Sequence, residues 1–337
     1  ASYAAYKPNP NWWDKEKIIN GKKYDTPFVD ELIFPIILDK STQIAAIRTA
    51  KVDLAHTVDL KHKDTLASTC PDLKLEKYLA GSVYLVVFRS TSGPLVDKDL
   101  RRALMIGTDL ETIVRINLTE GDVHCLPWNA GLSPVVYTPI EDLPPSTKEL
   151  FTYDPAKAKQ MITDAGYPDG LTLKLDYSAT RFGAAELASL LEDMWSKIGV
   201  TAILQPHEHA IKQAMGTEGT YENALISHSG VVSRVSRLTS FMVMPWTLYH
   251  DDEYYIDLVS EAGAEMDEAK RNAMIKELGI YVVDNVSHMP LGNPYLLCCT
   301  WPWVKNYYRE IDCAYVNYSA ITPLIWIDQA LKAELGY

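Results

Sequence analysis

The sequence lacks the cysteine and charge patterns that mark several large protein classes. Its five cysteines, Cys70, Cys125, Cys298, Cys299 and Cys313, show no CxxC spacing, which excludes a zinc ribbon and a thioredoxin motif. Buried free thiols and a bridge from Cys298 or Cys299 to Cys313 both remain open. Because 44 acidic residues outnumber 32 basic ones, for a net charge of −12, the composition argues against nucleic-acid binding and docking on anionic lipid.

The motifs of common enzyme classes are also missing. The chain contains no GxGxxG, GxxxxGK[ST], HExxH or GxSxG, and no apolar run approaches the ~18 residues of a membrane helix. His207-Glu208-His209 is suggestive, but an HxH pair on a strand needs a third ligand to hold a metal, so a solvated strand end is the simpler interpretation. A hydrolase that uses His207, His209 or Cys125 stays as an alternative.

What the chain does contain is enough apolar material for a folded protein of about two domains. It has 337 residues, 47% of them apolar, with 8 Trp, 20 Tyr and 6 Phe. Leu171–Tyr177 alternates as a strand does, Ala184–Lys197 has helical periodicity, and Val200–Leu204 is again strand-like. This strand–helix–strand order predicts an α/β fold.

Aspartates mark the expected starts of several helices. Asp39 should cap a helix over Thr42–Ala50. Asp97 or Asp99 should cap a second helix, which runs to about Gly107. Asp97 and Arg101 are four residues apart on one helix face, so they can form an ion pair.

Six segments, in order along the chain, resemble the family 5 extracellular solute-binding proteins of ABC importers, the oligopeptide-, dipeptide- and nickel-binding type. The most specific is YDPAKAKQMITDAGYPDG, which looks like the family's "YDPEKAKALLAEAGYPDG" almost residue for residue. The segments are Asn9–Trp13, Asp30 through Lys51-Val52-Asp53-Leu54-Ala55, Leu95–Leu104 with Asp109, Tyr153–Gly170, Met194–Val200, and Asp267 with Arg271 before Met289-Pro290-Leu291.

The resemblance implies an α/β, bilobed fold like that of periplasmic binding proteins (type II, cluster C), with a hinge. Lobe II would span residues 90–292, and lobe I residues 1–89 and 293–337. Relatives carry a long segment before the "RNPNYW" element, whereas here eight residues precede Asn9, so lobe I is expected to be incomplete.

The same resemblance implies the function. We expect the substrate-binding component of an ABC transporter, which captures a peptide-like or anionic small solute between two lobes for import. It would not be an enzyme, and it would need no cofactor and no metal. Its partners would be the solute and ABC permease subunits, and it would act as a monomer in the periplasm or outside the cell, free or lipid-anchored. A sensory or interaction module that keeps the lobe II scaffold is the alternative.

Basic residues stand where peptide-binding relatives present an acid to the ligand. The family's "W-x-x-D-Y" stretch corresponds to Ile226–Thr239, which has no Asp but contains His228, Arg234 and Arg237. The family's "FN" at the first crossover corresponds to Phe88 followed by Arg89. Because guanidinium groups bind carboxylate and phosphate, these residues predict a ligand with an anionic group. The alternative is that the arginines face solvent or internal acids.

Aromatic residues are expected to complete the cleft. The candidates are Trp246, Tyr249, Trp301 and Trp303, which follow the loop and the second crossover, where pockets between lobes form. For each of them, packing in the core is an equally good interpretation.

Overall fold

Helices and short strands alternate along most of the chain. The computed structural model describes residues 2–131, 133–181, 183–230, 235–309 and 321–337. The strands are β1 (Tyr3–Tyr6), β2 (Glu16–Ile19), β3 (Lys22–Asp25), β4 (Leu32–Pro35), β5 (Leu54–Asp59), β6 (Lys74–Leu79), β7 (Ser82–Phe88), β8 (Gly121–Asp122), β9 (Leu171–Ser178), β10 (Val200–His207), β11 (Ala224–Gly230), β12 (His288–Pro290), β13 (Asn293–Thr300), β14 (Val304–Lys305) and β15 (Trp326–Ile327).

The α-helices fall between these strands. They are α1 (Lys40–Arg48), α2 (Lys63–Thr69), α3 (Lys98–Ile106), α4 (Leu110–Ile113), α5 (Pro145–Lys148), α6 (Pro155–Asp164), α7 (Ala184–Ser196), α8 (His209–Glu218), α9 (Val235–Met242), α10 (Glu253–Ala264), α11 (Glu268–Asn285) and α12 (Gln329–Glu334). Across the ranges described above, no helix is both long and apolar enough to cross a membrane.

Aspartate caps begin the helices as the sequence predicts. Asp39 Oδ1 accepts a hydrogen bond from the Thr42 amide at 2.7 Å, and Asp97 Oδ1 accepts one from the Asp99 amide at 2.7 Å. These bonds satisfy amides that have no partner inside the helix. The predicted helices over Thr42–Ala50 and up to Gly107 are therefore confirmed as α1 and α3.

The expected ion pair between Asp97 and Arg101 is wrong. The Arg101 side chain is buried, and its guanidinium donates hydrogen bonds to three backbone carbonyls. Nε donates to Asn285 O at 3.0 Å, while Nη1 donates to Leu95 O at 2.9 Å and to Val96 O at 3.0 Å. Helical spacing alone could not reveal this, because Asn285 lies 184 residues further along the chain.

The chain forms two compact units. Unit 1 consists of Ala1–Tyr78 and Leu296–Tyr337, and unit 2 of Leu79–Tyr295. The assignment of residues 1–89 with 293–337 to lobe I and of 90–292 to lobe II stays a prediction.

Unit 2 is built on a five-stranded sheet in the order β10-β9-β11-β7-β12. β9, β10 and β11 run parallel, with Val200 opposite Leu171 and Ala224 opposite Leu175, while β7 runs antiparallel to β11 and β12. Parallel strands need crossover helices, which here are α7 between β9 and β10 and α8 between β10 and β11. The predicted α/β order is confirmed.

Apolar side chains cover both faces of this sheet. On one face Leu171, Leu173 and Leu175 are buried in a large core with residues of α3, α6 and α7. On the other face Val83, Leu85, Val87 and Leu225 join a smaller core with Tyr221 and Trp246. β7 contributes side chains to both cores, whereas β9 alternates between the first core and the exposed residues Thr172 and Lys174, which gives it the two-residue period of a strand in the sequence.

Unit 1 contains a sheet in which β13 lies between β5 and β6. Its core includes Leu66, Leu297 and the stacked rings of Trp301 and Trp303. Cys70, Cys298 and Cys299 of unit 1 and Cys125 of unit 2 are buried and form no disulfide with one another. Cys313 lies outside the described residues, so the bridge to it is untested.

Candidate functional site

The strand ends of unit 2 carry the candidate site. β9 ends at Ser178 and β10 at His207, and Ser227 and His228 lie toward the end of the parallel β11. Ligands of open α/β sheets bind outside the carboxyl ends of parallel strands. The chain therefore places polar side chains where this architecture forms binding sites.

Two cavities adjoin at this edge. The smaller, of about 70 Å³, is lined by Tyr84, Ser178 and Arg181 among others, and the larger, of about 180 Å³, by Tyr221, Trp246 and mostly apolar residues. Both cavities include Gln213, Ser227 and His228 in their walls. We call the two cavities together the strand-end site.

Lys212 is the most unusual side chain of the strand-end site. It lies in α8, only 4% exposed, although lysine is almost never buried without a partner. Its Nζ donates hydrogen bonds to Ser227 Oγ at 3.1 Å and to Gln213 Oε1 at 3.3 Å. Burial, with a smaller contribution from the nearby charge of Arg181, lowers the pKa of Lys212 to about 8.

Arg181 and His228 complete a basic cluster around the Tyr84 ring. The Arg181 guanidinium carbon lies 5.7 Å from the ring centroid, and Nε donates to the Tyr84 hydroxyl at 3.4 Å. The His228 ring meets Tyr84 edge-on at 5.3 Å between centroids. Burial lowers the pKa of His228 to about 4, helped by the charges of Arg181 and Lys212, so this imidazole is neutral at pH 7.

Among the described residues, no acid balances the charge of this cluster. In the part of the chain that the structure describes, no carboxylate lies within ion-pair distance of Arg181 or Lys212, and besides burial only the charge of Arg181 lowers the pKa of Lys212. The strand-end site therefore carries two positive charges at neutral pH that no side chain within the described ranges neutralises.

Gly219 allows Trp246 to form a wall of the larger cavity. This glycine ends α8 with φ +65°, and a Cβ built on it would meet the Trp246 ring at 2.2 Å. Both the left-handed backbone and the close ring require glycine at this position.

We expect Gly219→Ala to lower the free energy of unfolding by about 1–3 kcal/mol, because the methyl group clashes with the indole and strains the backbone. Urea unfolding at pH 7 measures this change. Gly199→Ala is the matched control, since Gly199 has φ +85° but open space around its Cβ position. Equal losses in the two variants would show that Trp246 does not depend on Gly219.

The structure brings together two of the predicted ligand residues. His228 and Trp246 both line the larger cavity. Arg89 lies at the opposite end of β11, because it follows Phe88, which pairs with Ala224, whereas His228 pairs with Tyr84. Arg89 is five residues, about 17 Å of extended strand, from Tyr84, the partner of His228.

The Arg89 guanidinium donates hydrogen bonds to backbone carbonyls at that end of β11. Its Nη1 donates to the carbonyls of Gly219 and Tyr221, at 3.1 Å for Tyr221, and its Nε donates to Ser92 Oγ at 2.6 Å. These bonds hold the turn between α8 and β11. Arg234 lies outside the described residues, and Arg237 belongs to α9, although its side chain also lies outside them. The ligand roles of all three arginines stay predictions.

The other predicted aromatic residues are core residues. Tyr249 is fully buried beside Phe241 and Tyr255, and its hydroxyl donates to Val282 O at 3.1 Å. Trp301 and Trp303 are buried in unit 1 with their rings parallel and 4.7 Å apart. The structure thus places them as the core interpretation expects, and their contact with a ligand stays a prediction.

The residues proposed for a hydrolase, His207, His209 and Cys125, are not arranged as a catalytic site. The histidines of the HxH pattern do not share a strand: β10 ends at His207, and His209 begins α8. His207 Nε2 donates to Asp176 Oδ1 at 2.7 Å. Cys125 is fully buried, which raises the pKa of its thiol well above the ordinary value and disfavours the reactive thiolate. Within the described ranges, no group of three or more His, Cys, Asp or Glu side chains could hold a metal ion.

Comparisons with known proteins agree with this architecture. The family model "Bacterial extracellular solute-binding proteins, family 5 Middle" matches residues 1–246. Heme-binding protein A of Haemophilus influenzae is 25% identical over 90% of this chain and 54% of its own length, and di/tripeptide-binding protein 1 of Pseudomonas aeruginosa is 24% identical over 86% and 52%. The chain thus spans about half the length of these curated relatives.

Solved structures show the same fold. HbpA2 from Haemophilus parasuis superposes with a TM-score of 0.72 at 19% identity, covering 97% of this chain and 62% of that one. The oligopeptide-binding protein AppA from Bacillus subtilis, in complex with a nonapeptide, gives 0.72 at 16% identity, covering 97% and 64%. The predicted fold class, α/β and like that of periplasmic binding proteins, is confirmed.

Proposed function

Because the chain belongs to the family 5 bacterial extracellular solute-binding proteins, we propose that it is the substrate-binding component of an ABC importer. It would bind a peptide-like or anionic small solute at the strand-end site and change no bond in it. ABC permease subunits would then receive the solute. A periplasmic or extracellular location follows from the family, and a monomeric state and lipid anchoring are parts of the same proposal.

The strand-end site is the observation that carries this proposal. It combines a larger cavity, whose wall mixes apolar side chains such as Phe241 and Trp246 with polar ones, and a smaller polar cavity, and their walls meet at Gln213, Ser227 and His228. Binding sites for small molecules have this composition, a mostly apolar wall with a few polar groups that fix orientation. Its position at the carboxyl ends of β9, β10 and β11 is the one that α/β sheets use for ligands.

The names of the relatives narrow the class of solute. They include heme-, di/tripeptide- and glutathione-binding proteins. Heme, peptides and glutathione all carry carboxylate groups, and the strand-end site carries uncompensated positive charge. We therefore favour a carboxylate-bearing solute over a neutral or cationic one.

A bulky side chain at Gln213 tests the location of binding. Gln213 is exposed and borders both cavities, so Gln213→Trp should block them; it also removes the acceptor of one Lys212 hydrogen bond, whose length is 3.3 Å. We expect at least about tenfold weaker binding, about 1.4 kcal/mol, of any solute that stabilises the wild type. A thermal-shift screen of peptides, glutathione, heme and organic acids identifies the solute, and calorimetry measures its affinity.

Gln160→Trp is the control for this experiment, because Gln160 is an exposed glutamine in α6 and borders neither cavity. It should bind the solute as the wild type does. Wild-type affinity in Gln213→Trp would place binding elsewhere on the chain and contradict the proposal.

A further inference from the structure

We propose that His56, Cys298 and Tyr307 form a binding site for one soft monovalent metal ion, Cu(I). His56 belongs to β5, Cys298 to β13 and Tyr307 to the segment after β14. We call these three side chains the Cys–His–Tyr trio. The inference goes beyond the proposed function and does not depend on it, because the trio belongs to unit 1 and lines neither cavity of the strand-end site.

The three donor atoms of the trio surround one point at the distance of a metal–ligand bond. Cys298 Sγ lies 3.9 Å from His56 Nδ1 and 3.7 Å from the Tyr307 hydroxyl oxygen, and that oxygen lies 3.0 Å from Nδ1. The point equidistant from these three atoms is about 2.1 Å from each of them. Bonds of metal ions to sulfur and nitrogen in proteins measure about 2.0–2.3 Å. A metal ion near this point would therefore reach all three donors without a large movement of any side chain.

A β-bulge brings His56 and Cys298 together. The register between β13 and β5 shifts at Cys298, so that two residues of β5, His56 and Thr57, lie opposite this single residue of β13. Bulges re-aim side chains and are common beside functional sites. The Tyr78 hydroxyl donates to the His56 carbonyl at 2.6 Å and so fixes β5 at the bulge.

The chemistry of the donors selects Cu(I). Thiolate sulfur is a soft ligand that prefers Cu(I), and imidazole nitrogen also binds copper. Burial lowers the pKa of His56 to about 4, so its imidazole is neutral at pH 7 and can offer a lone pair. As the bond between sulfur and Cu(I) forms, the S–H bond of Cys298 breaks and its proton leaves to solvent. The thiolate then balances the single positive charge of the ion.

The number of donors disfavours Zn(II), which takes four protein ligands in structural sites. The trio supplies three, one of them a tyrosine hydroxyl. It therefore differs from a cluster of three or more His, Cys, Asp or Glu side chains, and residues of the described ranges form no such cluster.

A cavity of unit 1 gives access to the trio. It measures about 220 Å³, is open to solvent and includes His56 in its wall. Cys298 is fully buried and forms no disulfide with another cysteine of the described ranges. An ion that enters the cavity would meet the imidazole first and the thiol behind it.

Competition for Cu(I) tests the site. The reduced full chain is titrated without oxygen into the coloured complex of Cu(I) with bicinchoninate, and the loss of colour gives the stoichiometry and the affinity. We expect the chain to take one Cu(I). X-ray absorption at the copper edge should then show one sulfur neighbour together with nitrogen or oxygen neighbours at about 2.0–2.3 Å.

His56→Leu is the decisive variant, because His56 is only partly buried and leucine offers no lone pair. It should weaken Cu(I) binding at least about 100-fold, since the loss of a residue that merely supports a ligand already costs about 10–100-fold. Cys298→Ala should abolish binding at the trio. Cys299→Ala is the matched control, because Cys299 is the next residue of β13 and equally buried but packs in the core of unit 1, so it should bind as the wild type does.

Three results would overturn the assignment. They are no uptake of Cu(I) in the competition, an affinity that His56→Leu leaves unchanged, and an absorption spectrum with sulfur neighbours alone, which would place the ion between other thiols. Circular dichroism establishes that each variant is folded, and His56→Leu decides the question by itself if Cys298→Ala does not fold. Both variants should keep the affinity of the strand-end site for its solute, so a failure of this assignment leaves the proposed function untouched.

Discussion

Arg101→Met is expected to lower the free energy of unfolding by about 3–5 kcal/mol, because it removes the donor from two buried carbonyls and one partly buried carbonyl. The guanidinium joins the turn before α3, through Leu95 O and Val96 O, to the end of α11, through Asn285 O. Methionine fills a similar volume but offers no hydrogen bond. Urea unfolding followed by circular dichroism measures the change.

Two further variants make this experiment specific. Arg101→Lys keeps the charge but cannot reach all three carbonyls, so its loss should be intermediate. Arg115→Met is the matched control, because Arg115 is exposed and its guanidinium bonds, among the described residues, only to Thr112 Oγ1 at 2.9 Å. It should change stability by no more than about 0.5 kcal/mol. Similar losses for Arg101→Met and Arg115→Met would show that the buried bonds contribute nothing.

Local signals explain why much of the fold was predictable from the sequence. The caps at Asp39 and Asp97 depend on amides two or three residues away. The alternation of Leu171, Leu173 and Leu175 depends only on the two-residue period of a strand. Such features are encoded within a few residues, so they can be read without knowledge of the tertiary structure.

Long-range contacts explain what could not be predicted. Arg89 looks like a free cation in the sequence, yet its acceptors at Gly219 and Tyr221 lie 130 and 132 residues away. In α8, hydrophobic periodicity favours Ile211 on the buried side, but Ile211 is 56% exposed and Lys212 is buried. Only the packing of α8 beside β9 and β11 decides which side of this helix faces the sheet.

One signal for the basic cluster was present in the sequence. Arg181 follows β9, the first strand of the strand–helix–strand order that the sequence predicts. Side chains just beyond the carboxyl end of such a strand are candidates for ligand binding. Lys212 had no comparable signal, because burial of a lysine becomes visible only when the sheet and its helices are assembled. The basic residues that the sequence itself indicated, Arg89, Arg234 and Arg237, keep their ligand roles as predictions.

Trp303→Ala is expected to cost about 3–5 kcal/mol and to destabilise unit 1, because it removes a buried ring and leaves a large cavity. The indole stacks on Trp301 at 4.7 Å, and its Nε1 donates to Asp53 Oδ1 at 2.7 Å. Hydrogen exchange is the suitable measurement, since it reports β5 and β13 of unit 1 separately from β9 of unit 2. Amides of β5 and β13 should lose protection, while those of β9 should keep it.

The same variant separates the two interpretations of this tryptophan. Trp13→Ala is the control, because Trp13 belongs to unit 1 but is 81% exposed, so its loss should leave the protection of β5 and β13 nearly unchanged. If Trp303→Ala kept full protection but weakened solute binding, Trp303 would be a ligand contact and not a core residue. The enclosed position of the ring, with hydrogen bond and stacking partner both inside unit 1, favours the loss of stability.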